Sequence, residues 1–141
     1  MRALLAIYSA TAMKPAIERH LSPVMIVRWP AELSGDEVQA HFEDVRAILH
    51  EGRHAFVIDM RAAGPASASL RKLAASDLGA LFSEFGRTNI AGVAHVIDSP
   101  IVQGLLTAVY WLVPPPFPTL NTRDPDLALR WAEDVLRPRA N

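Results

Sequence analysis

Ala55-Phe56-Val57-Ile58-Asp59-Met60 is the stretch on which the fold turns. A strand with one wet face alternates apolar and polar residues, whereas this run is apolar in both registers until its single carboxylate. That is the pattern of a central parallel strand covered on both faces, and parallel neighbours require helical crossovers.

Working outward, both flanks supply those crossovers. On the N-terminal side, Ser34-Gly35-Asp36-Glu37 has the spacing of a capping box. The helix it opens carries Val38, Phe42, Val45 and Leu49 as one apolar stripe and stops at Gly52. Before it, Ala16 to His20 and Val24 to Trp29 predict two short strands joined through Ser22-Pro23 as a hairpin. On the C-terminal side, Ser67 or Ser69 caps a helix with Leu70, Leu73, Ala74, Leu78, Leu81 and Phe85 inward, closed by Gly86. Ile90 to Ile97 gives the next strand, and Asp98-Ser99-Pro100 starts a third helix that Pro114-Pro115-Pro116 ends near Val113. Phe117 to Asn121 predicts a short edge strand. Asp124-Pro125 opens a last helix in which Leu127, Trp131 and Val135 share a face before Arg137-Pro138.

The sum is a single-domain α/β fold: a mixed, mostly parallel sheet of four to five strands with helical crossovers. At 141 residues the chain fits one domain, which roughly 100–200 residues normally enclose. Residues 1–15 form an N-terminal extension and residues 16–137 the domain. The extension's short apolar run, with Arg2 ahead of it and Ala10-Thr11-Ala12 at its end, also has the form of a short signal peptide.

Composition excludes several functions. Fourteen basic residues balance fifteen acidic ones with no block of like charge, so the basic stripe of a nucleic-acid binder is missing. The absence of cysteine removes disulfides, thiol catalysis and Cys-ligated metal. No stretch reaches the roughly 18–20 apolar residues that a membrane span needs, and a cytoplasmic location is expected.

The order of elements resembles the STAS domain, shared by sulfate transporters and anti-sigma-factor antagonists, and in particular its SpoIIAA-like members. The resemblance covers roughly Ala16 to Leu136. It is carried by Val24 to Trp29 leading into Glu32-Leu33-Ser34, by Phe56-Val57-Ile58-Asp59 before a serine-bearing loop and helix, and by Val93-Ala94-His95-Val96-Ile97-Asp98-Ser99-Pro100. It implies a regulatory module that binds proteins. In the antagonist members, a serine or threonine within Asp-Ser-(Ser/Thr)-Gly is phosphorylated at a helix N-terminus by an anti-sigma kinase. The corresponding place here is Pro65-Ala66-Ser67-Ala68-Ser69-Leu70, without that aspartate or glycine. Ser67 and Ser69 are thus the candidate phospho-switch, and helix capping alone accounts for both. A phosphate there would meet free N–H groups and the positive helix end, with Arg61 and Arg71 near in sequence.

Other constellations carry less. His50-Glu51-Gly52-Arg53-His54 spells the zinc-hydrolase motif, but that chemistry needs both histidines on one uninterrupted helix and Gly52 ends this one. No glycine-rich phosphate loop and no nucleophile elbow occurs, so no cofactor or metal is called for. Asp59 and Asp98 end neighbouring predicted strands, the edge where ligands collect in open α/β sheets, and could share a cleft with Arg61, Arg71, His95 and Ser99.

The third helix is apolar on more than the single face a sheet requires. Val102, Leu106, Val109, Tyr110 and Trp111 are the candidate contact surface, for cover by the chain itself, a second subunit or a ligand. The leading expectation is a non-enzymatic regulatory or scaffolding module that works by protein contact as a homo-oligomer. The alternative is a carrier of a small apolar, lipid-like ligand of SEC14 type, which requires a cavity between the third helix and the sheet. An enzyme requires Asp59, Asp98 and His95 to converge.

Overall fold

The computed structural model describes residues 14–138. The expected N-terminal extension, apart from Lys14 and Pro15, lies outside them. Within the described residues five strands form one sheet in the order of the sequence: β1 (Ala16–Glu18), β2 (Val24–Arg28), β3 (His54–Asp59), β4 (Ile90–Val96) and β5 (Thr119–Thr122). The β1–β2 pair is antiparallel and every other pair is parallel.

Among the described residues there are four helices: α1 (Gly35–His50), α2 (Ala68–Phe85), α3 (Pro100–Leu112) and α4 (Pro125–Leu136). The first three link β2 to β3, β3 to β4 and β4 to β5, each crossover stepping one strand in the same direction. Crossovers between parallel strands are right-handed almost without exception, so the three helices share one face. The core agrees: Met25, Val27, Phe56 and Val93 from the sheet meet Val45, Leu49, Leu81, Phe82 and Phe85 from α1 and α2. The chain then turns under the sheet, and among the described residues α4 covers the other face, placing Ala128 and Ala132 on Ala55, Val57, Ala94 and Val96.

Local chemistry sets the boundaries. The Ser34 hydroxyl accepts the Glu37 N–H at 3.2 Å while the Glu37 carboxylate accepts the Ser34 N–H at 2.8 Å, the reciprocal pair read from sequence. Beyond α1, Gly52 adopts φ +142°, a conformation costly for any side chain, and the chain drops into β3. Ser67, Ser99 and Asp124 cap the other three helices. Strand ends fall a residue or two from expectation. Trp29 and Met60 lie past their assigned strands yet still donate to Asp59 O and Val96 O, both at 2.9 Å, so the ladder runs on into the loops.

Two packing expectations need correction. Leu127 is exposed, and the inward row of α4 is Ala128 and Ala132 with Trp131 and Val135 beside them. Small side chains let the helix lie close to the sheet, which turns Leu127 outward. Phe117 does not begin β5; it is buried edge-on against Phe82, with ring centroids 5.0 Å apart.

Candidate functional site

Two concavities open on the three-helix side where β2 and β3 end. The first is a groove of about 470 Å³ between the loop after β2 and the loop before α2. Its walls include Trp29, Leu33, Pro65, Ser67, Ser69 and Leu73, and the Gly64 N–H donates to Ala31 O at 3.2 Å to tie the two loops together. Ser67 Oγ accepts the Leu70 N–H at 3.1 Å as the cap of the 18-residue α2, and Ser69 stands exposed on the first turn. Both candidate switch serines therefore sit at the positive end of a long helix, on the rim of an open groove.

The second is a cavity of about 150 Å³ between the sheet and α1, α2 and α3. Ile58, Phe42, Leu70, Leu78, Val102 and Leu106 make most of its wall apolar. Two histidines enter it from opposite sides. His95 of β4 is 1% exposed, with Nδ1 3.0 Å from Asn121 Oδ1 and Nε2 2.8 Å from the Tyr110 hydroxyl. An amide oxygen only accepts, so Nδ1–H donates to Asn121 and Nε2 accepts the Tyr110 O–H. Burial pushes His95 down to about 4 and pushes the Tyr110 phenol up, which keeps both neutral. His41 of α1 is 2% exposed and stacked edge-on to Trp29 at 5.3 Å. Burial pushes it to about 4 as well, and its Nδ1 has no hydrogen-bond partner among the described residues.

The six residues expected in one cleft divide among three places. Asp59 accepts Arg61 Nε at 2.9 Å, Nη2 at 2.8 Å and the Arg61 backbone N–H at 3.1 Å, a closed ion pair flanked by Arg28 at 3.5 Å. The Arg61 bonds hold the Asp59 carboxyl below its ordinary value. Asp98 and Ser99 line a separate shallow depression with Arg123. Arg71 and His95 both line the cavity, where Arg71 Nη1 is held by Ala66 O at 2.9 Å. Register explains the split. Asp59 pairs with Val96 and therefore shares the α4 side of the sheet, while His95 pairs with Ile58 on the three-helix side. Asp59, Asp98 and His95 do not converge. His50 and His54 also separate: His50 is exposed and packs edge-on to Phe85, while His54 is buried with Nδ1 2.8 Å from Gly52 O.

The five α3 residues expected to form one contact surface divide too. Val102, Leu106, Val109 and Tyr110 face the cavity, and Trp111 stands outside at 84% exposure with Ile101 and Leu112 also exposed. Sequence reasoning passed over His41 and Asn121. A signal for His41 existed, since it lies three residues after Val38 and four before Val45 on the apolar face of α1. Asn121 had none before the β4–β5 register was known.

No protein-family model and no curated protein matches the chain in sequence. Solved structures do. An anti-sigma factor antagonist from Mycobacterium paratuberculosis superposes with TM-score 0.56 at 20% identity, over 85% of this chain and 93% of that one. An uncharacterized protein with a SpoIIAA-like fold from Shewanella loihica PV-4 gives TM-score 0.60 at 18% identity, over 84% and 91%. Among the described residues no helix is long and apolar enough to cross a membrane. With its ordered sheet and, among the described residues, three helices on one face and one on the other, this chain has a SpoIIAA-like α/β fold.

Proposed function

We propose that this chain is a non-enzymatic regulatory module that binds a protein partner through the groove beside α2, works as a homodimer, and is switched by phosphorylation at Ser67 or Ser69. The observation that carries this reading is the placement of both serines at the N-terminus of α2 on the rim of the open groove. A phosphate there meets the unsatisfied N–H groups and positive dipole of the helix, and adds charge at the surface a partner would cover. The similarity to an anti-sigma factor antagonist supports the protein-contact class. Exposed Trp111, Leu112 and Ile101 support self-association, because a single helix otherwise leaves three large apolar side chains in water.

Site-specific photo-crosslinking in the native host tests the groove. A crosslinker at Ser69 or Leu33 is expected to capture one discrete protein, and the same group at Glu133 on the outer side of α4 none. Capture from Glu133 alone, or equal capture from all three, contradicts the reading.

The cavity favours a second reading, binding of a small apolar ligand. Its volume limits the ligand: drug-sized molecules occupy roughly 300–1,000 Å³, whereas a dry apolar cavity of about 150 Å³ accepts benzene. A compound of that size fits this site, and a two-chain lipid does not.

A further inference from the structure

Resting on the small-ligand reading, we infer that the cavity binds a monocarboxylate of about the size of benzoate, with its apolar body among Ile58, Leu78, Leu106 and Tyr110 and its carboxylate on the Arg71 guanidinium. Three observations carry it: a cavity of about 150 Å³ with a mostly apolar wall, a guanidinium held against that wall, and no acidic side chain paired with it among the described residues.

Arg71 is placed by its own hydrogen bond. It and Ala66 both line the cavity, and its Nη1 donates to Ala66 O at 2.9 Å, so the guanidinium lies along the wall at the start of α2. A guanidinium stays charged at every working pH, and a bond to a carbonyl leaves that charge unneutralised. Among the described residues Nε and Nη2 make no hydrogen bond, no ion pair includes Arg71, and no residue lining the cavity is acidic. The first turn of α2 carries no acidic residue either, so the positive end of that helix adds to the field. The remaining titratable groups of the wall do not offset it, because burial keeps His41, His95 and Tyr110 neutral.

One fixed positive charge calls for one negative charge. A carboxylate meets the guanidinium fork through two parallel N–H···O bonds, whereas a phosphate monoester brings about two charges to a single cation. The volume sets the size of the body, since an apolar cavity of about 150 Å³ accepts a benzene ring, and the rings of Trp29, Phe42 and Tyr110 suit an aromatic one. Trp29, Gly64, Ala66 and Leu70 line the open groove as well as the cavity. A head group held by Arg71 beside Ala66 therefore lies towards the groove and stays near water while the body is enclosed.

Titration of the whole chain with benzoate, benzyl alcohol and acetate near neutral pH, followed by calorimetry and protein-observed NMR, tests the inference. Benzoate is expected to bind at least about tenfold more tightly than benzyl alcohol, the ratio a charge-assisted hydrogen bond supplies, and added salt should shrink that advantage. Acetate, which has the head group without the body, should bind at least about tenfold more weakly than benzoate. Arg71→Gln, which removes the charge and keeps a helix-forming side chain, should bring benzoate to the level of benzyl alcohol. Ala74→Leu, which pushes a larger side chain into the cavity wall, should weaken both at least about tenfold. Equal affinities for benzoate and benzyl alcohol in the unaltered protein, with Arg71→Gln changing neither, would overturn the carboxylate preference and leave the small-ligand reading standing. Acetate matching benzoate, or benzoate binding indifferent to Ala74→Leu, would overturn the cavity as the place where the anion binds. Failure of all three probes to bind at millimolar concentration would overturn the site and the small-ligand reading together.

Discussion

The two faces of the sheet are built from different materials. Under α4 the side chains are small: Ala128 and Ala132 are fully buried on Ala55, Ala94, Val57 and Val96, and Trp131 closes over Gly92. Beneath α1, α2 and α3 they are large: Met25, Phe56, Phe82 and Phe85 hold the helices further out, and the interval contains a cavity, two buried histidines and a tyrosine. Small residues give close approach and leave nothing to recognise a ligand with. Large ones leave room, and the polar groups admitted there have to be answered individually. One face holds the sheet to its helix, and the other carries the proposed recognition.

Acid between pH 7 and about 4.5 should break that comparison most strongly, because the two buried histidines it protonates both lie on the three-helix side. His41 and His95 are held neutral, at about 4 against the ordinary 6.5. The unfolded chain takes up those protons first, so stability is full above about pH 6.5 and falls as the pH drops to about 4, by on the order of 3 kcal/mol for each histidine. Urea unfolding at pH 7, 5.5 and 4.5 checks the slope, and His41→Leu should remove about half of it. Amide exchange should show the three-helix layer losing protection before α4.

Steric substitutions come next. At Gly92 an added Cβ would meet the Trp131 ring at 2.8 Å and Pro118 O at 3.1 Å. Gly92→Val should therefore cost about 2–3 kcal/mol, with the Trp131 environment altered in near-ultraviolet dichroism. Smaller again is Ser67→Ala, which loses the α2 cap and should cost about 1 kcal/mol in thermal unfolding. Ser69→Ala, on the exposed first turn, should cost less than about 0.5 kcal/mol. Trp111→Ser should leave the folding free energy within about 0.5 kcal/mol, since the side chain is already in water, yet convert a dimer to a monomer in light scattering. A monomer before substitution contradicts the self-association proposal.

What was legible in the sequence is what adjacent residues decide among themselves. Ser34 and Glu37 cap one another, Pro100 fits only a first turn, and the run from Ala55 to Ile58 has to be covered on both faces, so the mostly parallel sheet followed. Distances between elements were not legible. The rotation of α4 that exposes Leu127 depends on how closely alanines let it approach the sheet. The chain Asn121–His95–Tyr110 joins residues 26 and 15 positions apart, which meet only once β5 is in register and α3 has crossed over. The separation of Asp59 from His95 follows from strand alternation, which puts them on opposite sides despite adjacent strand ends.

The most direct test of the division between the faces is one substitution made twice, with stability read by urea unfolding. Ala132→Leu overpacks a closed interface and should cost about 2–3 kcal/mol, whereas Ala74→Leu enters the cavity and should be neutral or stabilise by up to about 1 kcal/mol. Equal losses from the two would contradict the account, because the three-helix side would then be as tightly filled as the side beneath α4.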